Sequence, residues 1–113
     1  MEDCIFCKIV RGEIPCDKVL ENDRVLAFRD IAPKAPVHVV IVPKAHLGDI
    51  LECADKANGL SINLIEAAAA VARAEGVDAT GFRLVVNTGK DGGQSVGHLH
   101  FHLLGGAHLA DTL

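Results

Sequence analysis

The clearest alternation of polar and apolar positions in the chain is His98-Leu99-His100-Phe101-His102-Leu103-Leu104. A period of two predicts a strand, in which successive side chains point to opposite faces and rise about 3.3 Å per residue. Leu99, Phe101 and Leu103 then face a core. The three imidazoles share the opposite face at roughly 6.6 Å spacing, turned toward a cleft, a ligand or another layer. Residues 18–21 and 24–29 read as two more strands, joined by Asn22-Asp23, a pair that favours a tight hairpin. Pro33 and Pro36 cannot donate to a ladder, so residues 30–36 read as a loop. The β-branched run Val37-His38-Val39-Val40-Ile41-Val42 predicts a central strand with His38, Val40 and Val42 on one face, and residues 82–87 predict another strand.

Helical periodicity appears between these runs. Residues 9–15 predict a short helical turn leading into a loop, and residues 49–52 a short helix. Residues 54–75, rich in Ala, Leu and Glu, predict a long helix stopped by Gly76. Its stripe of Leu60, Leu64, Ala67, Ala68, Val71 and Ala72 should bury against the sheet. The side with Ile62, Ile65, Ala69 and Ala70 is also apolar, which fits a second partner, such as another copy of the chain, or an alanine-rich helix at a tolerant surface. The expected fold is α+β: one domain over residues 1–113, built as an antiparallel β-sheet meander with one long and one short helix.

Composition narrows the functional classes. With 113 residues, half of them apolar, the chain suffices for one domain with a real core. A formal charge of −4 and the lack of a Lys/Arg cluster argue against a nucleic-acid polymer as partner. No apolar run approaches a membrane span, and the acidic start lacks the pattern of a secretory signal, so the expectation is a cytoplasmic protein with no membrane partner. The four cysteines then read as thiols. Cys16 and Cys53 read as packing or surface residues. Cys4-x-x-Cys7 is a redox pair, half a metal site, or two unligated thiols. Redox pairs of this kind usually open a helix after a strand, and only three residues precede this one, so metal fits better. A structural zinc needs four N or S ligands. His46, after the strand that ends near Pro43, is the first candidate to join the two thiols.

Imidazoles at alternate strand positions serve two chemistries. They can chelate one metal, or one can attack an electrophile while its neighbours handle charge and protons. Just upstream lies the Gly-rich turn Asn87-Thr-Gly-Lys-Asp-Gly-Gly93-Gln94-Ser95-Val-Gly97. Its bare backbone N–H groups can approach an anion, and Asn87 and Ser95 add neutral donors. Such donors suit phosphate better than a metal, which prefers carboxylates or further imidazoles.

These residues, with Ile5-Phe6-Cys7-Lys8-Ile9-Val10-Arg11-Gly12-Glu13-Ile14-Pro15, Ala27-Phe28-Arg29-Asp30-Ile31-Ala32-Pro33 and Asp91-Gly92-Gly93-Gln94-Ser95, resemble the histidine-triad superfamily over nearly the whole chain. Within it the likeness is to the Hint branch of nucleotide-binding phosphoramidases. The resemblance implies a histidine-triad-like fold with a sheet extended across a homodimer, and a substrate class of purine nucleoside monophosphates and their phosphoramidates. It implies His100 as the nucleophile that forms a nucleotidyl-histidine, with its other ring nitrogen held by a main-chain carbonyl. His102 and Ser95 would contact the phosphoryl oxygens and assist the leaving group, and His38 would hydrogen-bond within the triad. Asp30 would bind the ribose, Phe6, Ile9, Phe28 and Ile31 would form the base pocket, and Asn87, Gly93 and Gln94 would complete the nucleotide site. Superfamily members with the N-terminal thiol pair, including relatives of galactose-1-phosphate uridylyltransferase, add the first triad histidine to a zinc site. The resemblance therefore implies Zn2+ on Cys4, Cys7, His46 and His98, structural in role, and no organic cofactor. From the residues alone, Asp30 also reads as a turn-capping carboxylate and His38 as a buried, satisfied imidazole. Gly97 stands where Hint-branch proteins usually carry an aromatic residue, and the tail 107–113 has none. Two rival readings use the same residues: a metallohydrolase gathering His98, His100 and His102 on one catalytic metal, and a non-catalytic nucleotide-binding or interaction module.

Overall fold

A computed structural model describes residues 3–111; the outermost residues of the expected domain lie outside the described residues. Helix α1 spans Ile5–Val10. Strands β1 (Lys18–Glu21), β2 (Val25–Arg29) and β3 (Val37–Pro43) follow, then helices α2 (Ile50–Lys56) and α3 (Leu60–Ala74), and strands β4 (Phe82–Val86) and β5 (Phe101–Gly105). All pairings are antiparallel. The sheet order is β1-β2-β3-β5-β4. The first three strands form the expected meander, and the chain then returns through two helices to close with the β4/β5 pair, β5 seated against β3. Among the described residues no helix is long and apolar enough to cross a membrane.

The sheet has two covered faces, and the alternation along β2 and β3 assigns side chains to each. Val25, Ala27, Val39, Ile41 and Leu103 pack with the stripe of α3, in which Leu60, Leu64, Ala67, Ala68, Val71 and Ala72 are buried as predicted. On the other face Leu26, Phe28, Val40 and Val42 pack with Phe6 and Ile9 of α1. The triad histidines lie under α1, because Leu99 and Leu103 belong to the α3-side core and alternation sends the imidazoles the other way.

Three elements depart from the pattern. The long helix does not run from residue 54: α2 extends through Lys56, and Ala57, Asn58 and Gly59 separate it from α3. Asn-Gly is a turn-forming pair, and here the Asn58 carbonyl accepts bonds from the Ser61 N–H (3.1 Å) and hydroxyl (2.5 Å). The first helix comes earlier than residues 9–15. Cys4 caps it, its Sγ accepting from the Cys7 N–H at 3.4 Å, so the Cys-x-x-Cys pair does open a helix. Finally, β5 begins only at Phe101, and His98 to His100 precede the ladder. The Leu99 N–H bonds to the Leu47 carbonyl at 2.7 Å, which draws this stretch toward the loop after β3.

Candidate active site

A cavity of about 350 Å³ opens between α1, the end of β2 and the triad segment, and Phe6, Ile9, Phe28, Asp30, Ile31, Ser95, His100 and His102 line it. That size lies in the range of small-molecule sites. Its walls are mainly apolar, with the two imidazoles, Arg29, Asp30 and Ser95 as polar groups. Another hollow of about 290 Å³, near Arg24, Lys44 and Leu60, contains none of the histidines. Lining residues that sequence reasoning did not assign are Ile5, Cys16, Arg29, Val40 and Val96. Val40 was readable, since it shares the His38 face of its strand. Ile14, Pro15 and Cys16 reach the cavity because the chain turns back after α1 through Gly12, at φ 80°.

Each histidine has a defined hydrogen-bond state. His100 Nδ1 lies 2.8 Å from the His98 carbonyl. A carbonyl only accepts, so Nδ1 carries a proton, and in the neutral ring Nε2 is the lone-pair nitrogen. Phe6 packs edge-on against this ring at 5.0 Å between centroids, holding it from the α1 side. His38 and His102 sit diagonally across β3 and β5, where Val40 pairs with His102, within reach of each other. His38 Nε2 and His102 Nδ1 are 2.9 Å apart, and the Lys34 N–H donates to His38 Nδ1 at 3.1 Å. Burial holds both imidazoles below the usual histidine range; the neighbouring Lys34 adds to this for His38, against the opposing pull of Asp30, and His100 and His38 add to it for His102. Both rings are therefore neutral at pH 7. Asp30 Oδ2 is 3.5 Å from His38 Nε2, while Oδ1 accepts from the Ala32 N–H at 2.8 Å. The turn-capping role read from sequence and a position at the cavity both hold.

His98 turns away from this chemistry. Its Nε2–H donates to the Pro43 carbonyl at 2.9 Å, leaving Nδ1 as the lone-pair nitrogen, 3.4 Å from Cys4 Sγ and 3.6 Å from Cys7 Sγ. His46 Nδ1 lies 3.2 Å from Cys7 Sγ. Four donor atoms thus converge, all within 4.8 Å of one another, close enough to hold a metal. In a tetrahedral site with bonds of about 2.0–2.3 Å, neighbouring donors stand roughly 3.3–3.8 Å apart, and these separations are close to that. Burial, then the adjacent Cys4 thiol, pushes the Cys7 thiol up, and burial keeps His98 neutral, as a ligand must be. A single metal gathering His98, His100 and His102 does not match this arrangement. The donor nitrogen of His98 faces the thiols, and His100 and His102 each commit Nδ1 to a hydrogen bond.

The Gly-rich turn has internal reasons for its residues. A Cβ on Gly92 would lie 2.3 Å from the Thr88 carbonyl oxygen, and Gly93 has φ +76°. Asn87 Nδ2 donates to the Gly92 carbonyl at 2.8 Å. Gln94 accepts from the Gly89 N–H at 3.0 Å and donates to the carbonyls of Gly48 (2.7 Å) and Val96 (2.9 Å). Asn87, Gly93 and Gln94 brace the loop that presents Ser95, and none of the three lines the cavity.

An imidazole whose Nδ1–H is held by a carbonyl, beside a second imidazole in the lining of a mainly apolar cavity, is an arrangement that a hydrolase can use. The HIT domain family matches residues 11–109. The purine nucleoside phosphoramidase of Escherichia coli K12 is 43% identical over 112 residues, covering 99% of this chain and 94% of that protein. An uncharacterised HIT-like protein of Synechococcus elongatus is 50% identical over 109 residues, covering 96% and 95%. A histidine triad protein from Clostridium difficile superposes with a TM-score of 0.95 at 46% identity, over 100% of this chain and 98% of that one. A HIT family hydrolase from Legionella pneumophila does so at 0.92 and 46%, over 96% and 97%. The chain belongs to the HIT domain family.

Proposed function

We propose that the chain is a purine nucleotide-binding hydrolase that cleaves nucleoside 5′-phosphoramidates through a covalent nucleotidyl-histidine on His100. The carrying observation is the 2.8 Å bond from His100 Nδ1–H to the His98 carbonyl, in a ring that lines the cavity beside His102. It supplies a neutral imidazole with one basic nitrogen, which is what attack on phosphorus requires. In the first step His100 Nε2 bonds to the α-phosphorus and the P–N bond breaks. The amine leaves with a proton taken from water, since an unprotonated amide nitrogen is a poor leaving group, while neutral His102 keeps its Nε2–H as a hydrogen-bond donor to the departing nitrogen. In the second step water adds to the phosphorus, the bond to Nε2 breaks and the water's proton neutralises the hydroxide left by the first. Ser95 donates to a phosphoryl oxygen as charge develops. The apolar side chains Phe6, Ile9, Phe28 and Ile31 hold the base, Asp30 the ribose, and the loop braced by Asn87, Gly93 and Gln94 the phosphate. His38 holds His102.

Hydrolysis of a fluorogenic adenosine phosphoramidate tests this reading. Turnover that persists in a chelator, at a reduced rate, is expected. Binding of the nucleoside monophosphate without turnover would replace the enzyme with a nucleotide-binding module, and immediate loss of activity with chelator, in a still folded protein, would favour a catalytic metal.

The Cys4, Cys7, His46 and His98 cluster fits Zn2+ by donor type and spacing. With four protein ligands the metal has no open position, so its role is to fix structure. A homodimer is part of the same proposal. On α3, Ile62 and Ile65 are 64% and 59% exposed, and Phe82 and Leu84 are exposed on β4, the sheet edge. Exposed apolar side chains on a helix and on an edge strand fit contact with a second copy of the chain. Sedimentation at micromolar concentration should give a species of twice the chain mass, and Ile65→Asp should convert it to monomer. A wild-type monomer at that concentration defeats the dimer.

A further inference from the structure

The loop between β2 and β3 does more than carry Asp30 and Ile31 to the cavity. Its Lys34 main-chain N–H points at His38 Nδ1, at 3.1 Å. An N–H group can only donate, so His38 Nδ1 must accept, and in the neutral ring the proton sits on Nε2. His38 Nε2–H then donates to His102 Nδ1 across 2.9 Å. His102 Nδ1 must accept in turn, so its proton sits on Nε2, the nitrogen left for the cavity that the ring lines. We propose that the Lys34 main-chain N–H is a positioning group for the reaction: it sets the direction of the hydrogen-bond chain through His38, and so presents His102 to the substrate as a donor.

The opposite direction is sterically open to the same rings. With no donor at His38 Nδ1, that ring can carry its proton there and accept at Nε2 from a protonated His102 Nδ1. His102 Nε2 would then offer a lone pair to an anionic phosphoryl group and hold no proton for the leaving amine. Rotating no side chain, the tautomer shift alone disarms the site. Asp30 Oδ2, 3.5 Å from His38 Nε2, favours the same proton position but less closely than the ring at 2.9 Å. The loop's hold on Lys34 comes from its two ends. The Asp30 N–H bonds to the His38 carbonyl at 3.0 Å, and the Ala32 N–H to Asp30 Oδ1. The same loop carries Ile31, whose side chain is fully exposed at the cavity rim. Base contact and tautomer control thus share one short segment.

This inference rests on the phosphoramidase reading for its kinetic consequence but not for its spectroscopic one. Lys34→Pro removes the N–H together with the ammonium group, whereas Lys34→Ala removes only the ammonium group, so their difference isolates the main-chain donor. Proline should lower kcat at least about tenfold relative to alanine, a fraction of the loss seen when one hydrogen-bond donor to developing charge is removed, with KM within about twofold because the cavity walls are intact. Long-range 1H–15N spectra should show an unprotonated Nδ1 and a protonated Nε2 on both His38 and His102 in the wild type and in Lys34→Ala, and a mixture in Lys34→Pro. A protonated His38 Nδ1 in the wild type overturns the proposal whether or not the proline variant folds. Equal kcat in the two variants overturns it as well. A wild type with the expected tautomers but no turnover would instead defeat the phosphoramidase reading and leave the chain of hydrogen bonds standing.

Discussion

His100→Ala should lower phosphoramidate turnover by at least about a thousandfold, the scale seen when a covalent nucleophile is removed, while nucleoside monophosphate still binds. The split follows from the site's construction. The nucleophile's ring is fixed by one hydrogen bond to the His98 carbonyl and by edge-on contacts with Phe6 and His102, and each of these partners has other contacts that hold its place. Phe6 belongs to the cluster of Ile9, Leu26, Phe28, Val40 and Val42, so the base wall survives the truncation. His102 keeps its bond to His38. Acid-quenched wild-type enzyme should also carry a mass adduct of one nucleotidyl group, absent from the variant. Residual activity above a few per cent, or the same adduct on His100→Ala, would move the nucleophile elsewhere.

How far the sequence carried this picture depended on the range of each interaction. The buried stripe of α3 was legible residue by residue, because period and apolarity agree over fifteen residues and Gly76, with φ +74°, ends it. The faces of β3 were legible for the same reason. The break at Ala57 to Gly59 was not, since high helix propensity on both sides masked the Asn-Gly pair. The strand predicted from His98 onward kept its alternation but not its ladder. The bond from Leu99 to Leu47 that displaces it joins residues 52 apart, and no local pattern records it. The Gly-rich turn was read as an anion cradle from its composition. The side chains of Asn87 and Gln94 hold the loop's shape, which composition did not show, and Ser95 and Val96 are its residues that reach the cavity. The two thiols were visible as a spacing, but His98, 91 residues from Cys7, entered only through a family resemblance. Its Nδ1 direction, fixed by the Pro43 carbonyl, could be known only from the fold.

Removing zinc should lower both thermal stability and turnover, through one residue. At zinc concentrations of about 100 to 1,000 times Kd, linkage gives roughly 3–4 kcal/mol of stabilisation. At about 4 °C per kcal/mol for a domain of this size, Cys4→Ser should melt roughly 10 °C or more below the wild type. The activity loss is indirect. Cys4 caps α1, which carries Phe6 against both His98 and His100, and His98 offers the metal its side chain and His100 its carbonyl. A metal on His98 Nδ1 therefore steadies the atom that keeps His100 protonated at the correct nitrogen. Without it the Cys7 thiol, pushed up by burial, remains protonated at neutral pH, and the N-terminal layer loses its tie to the triad segment. Protein purified without added metal should contain about one zinc per chain, and Cys4→Ser should contain almost none. Less than a tenth of an equivalent in the wild type, or an unchanged content in the variant, would sink the assignment. Turnover that stays normal in a zinc-free enzyme with a lowered Tm would keep the metal site but break its link to His100.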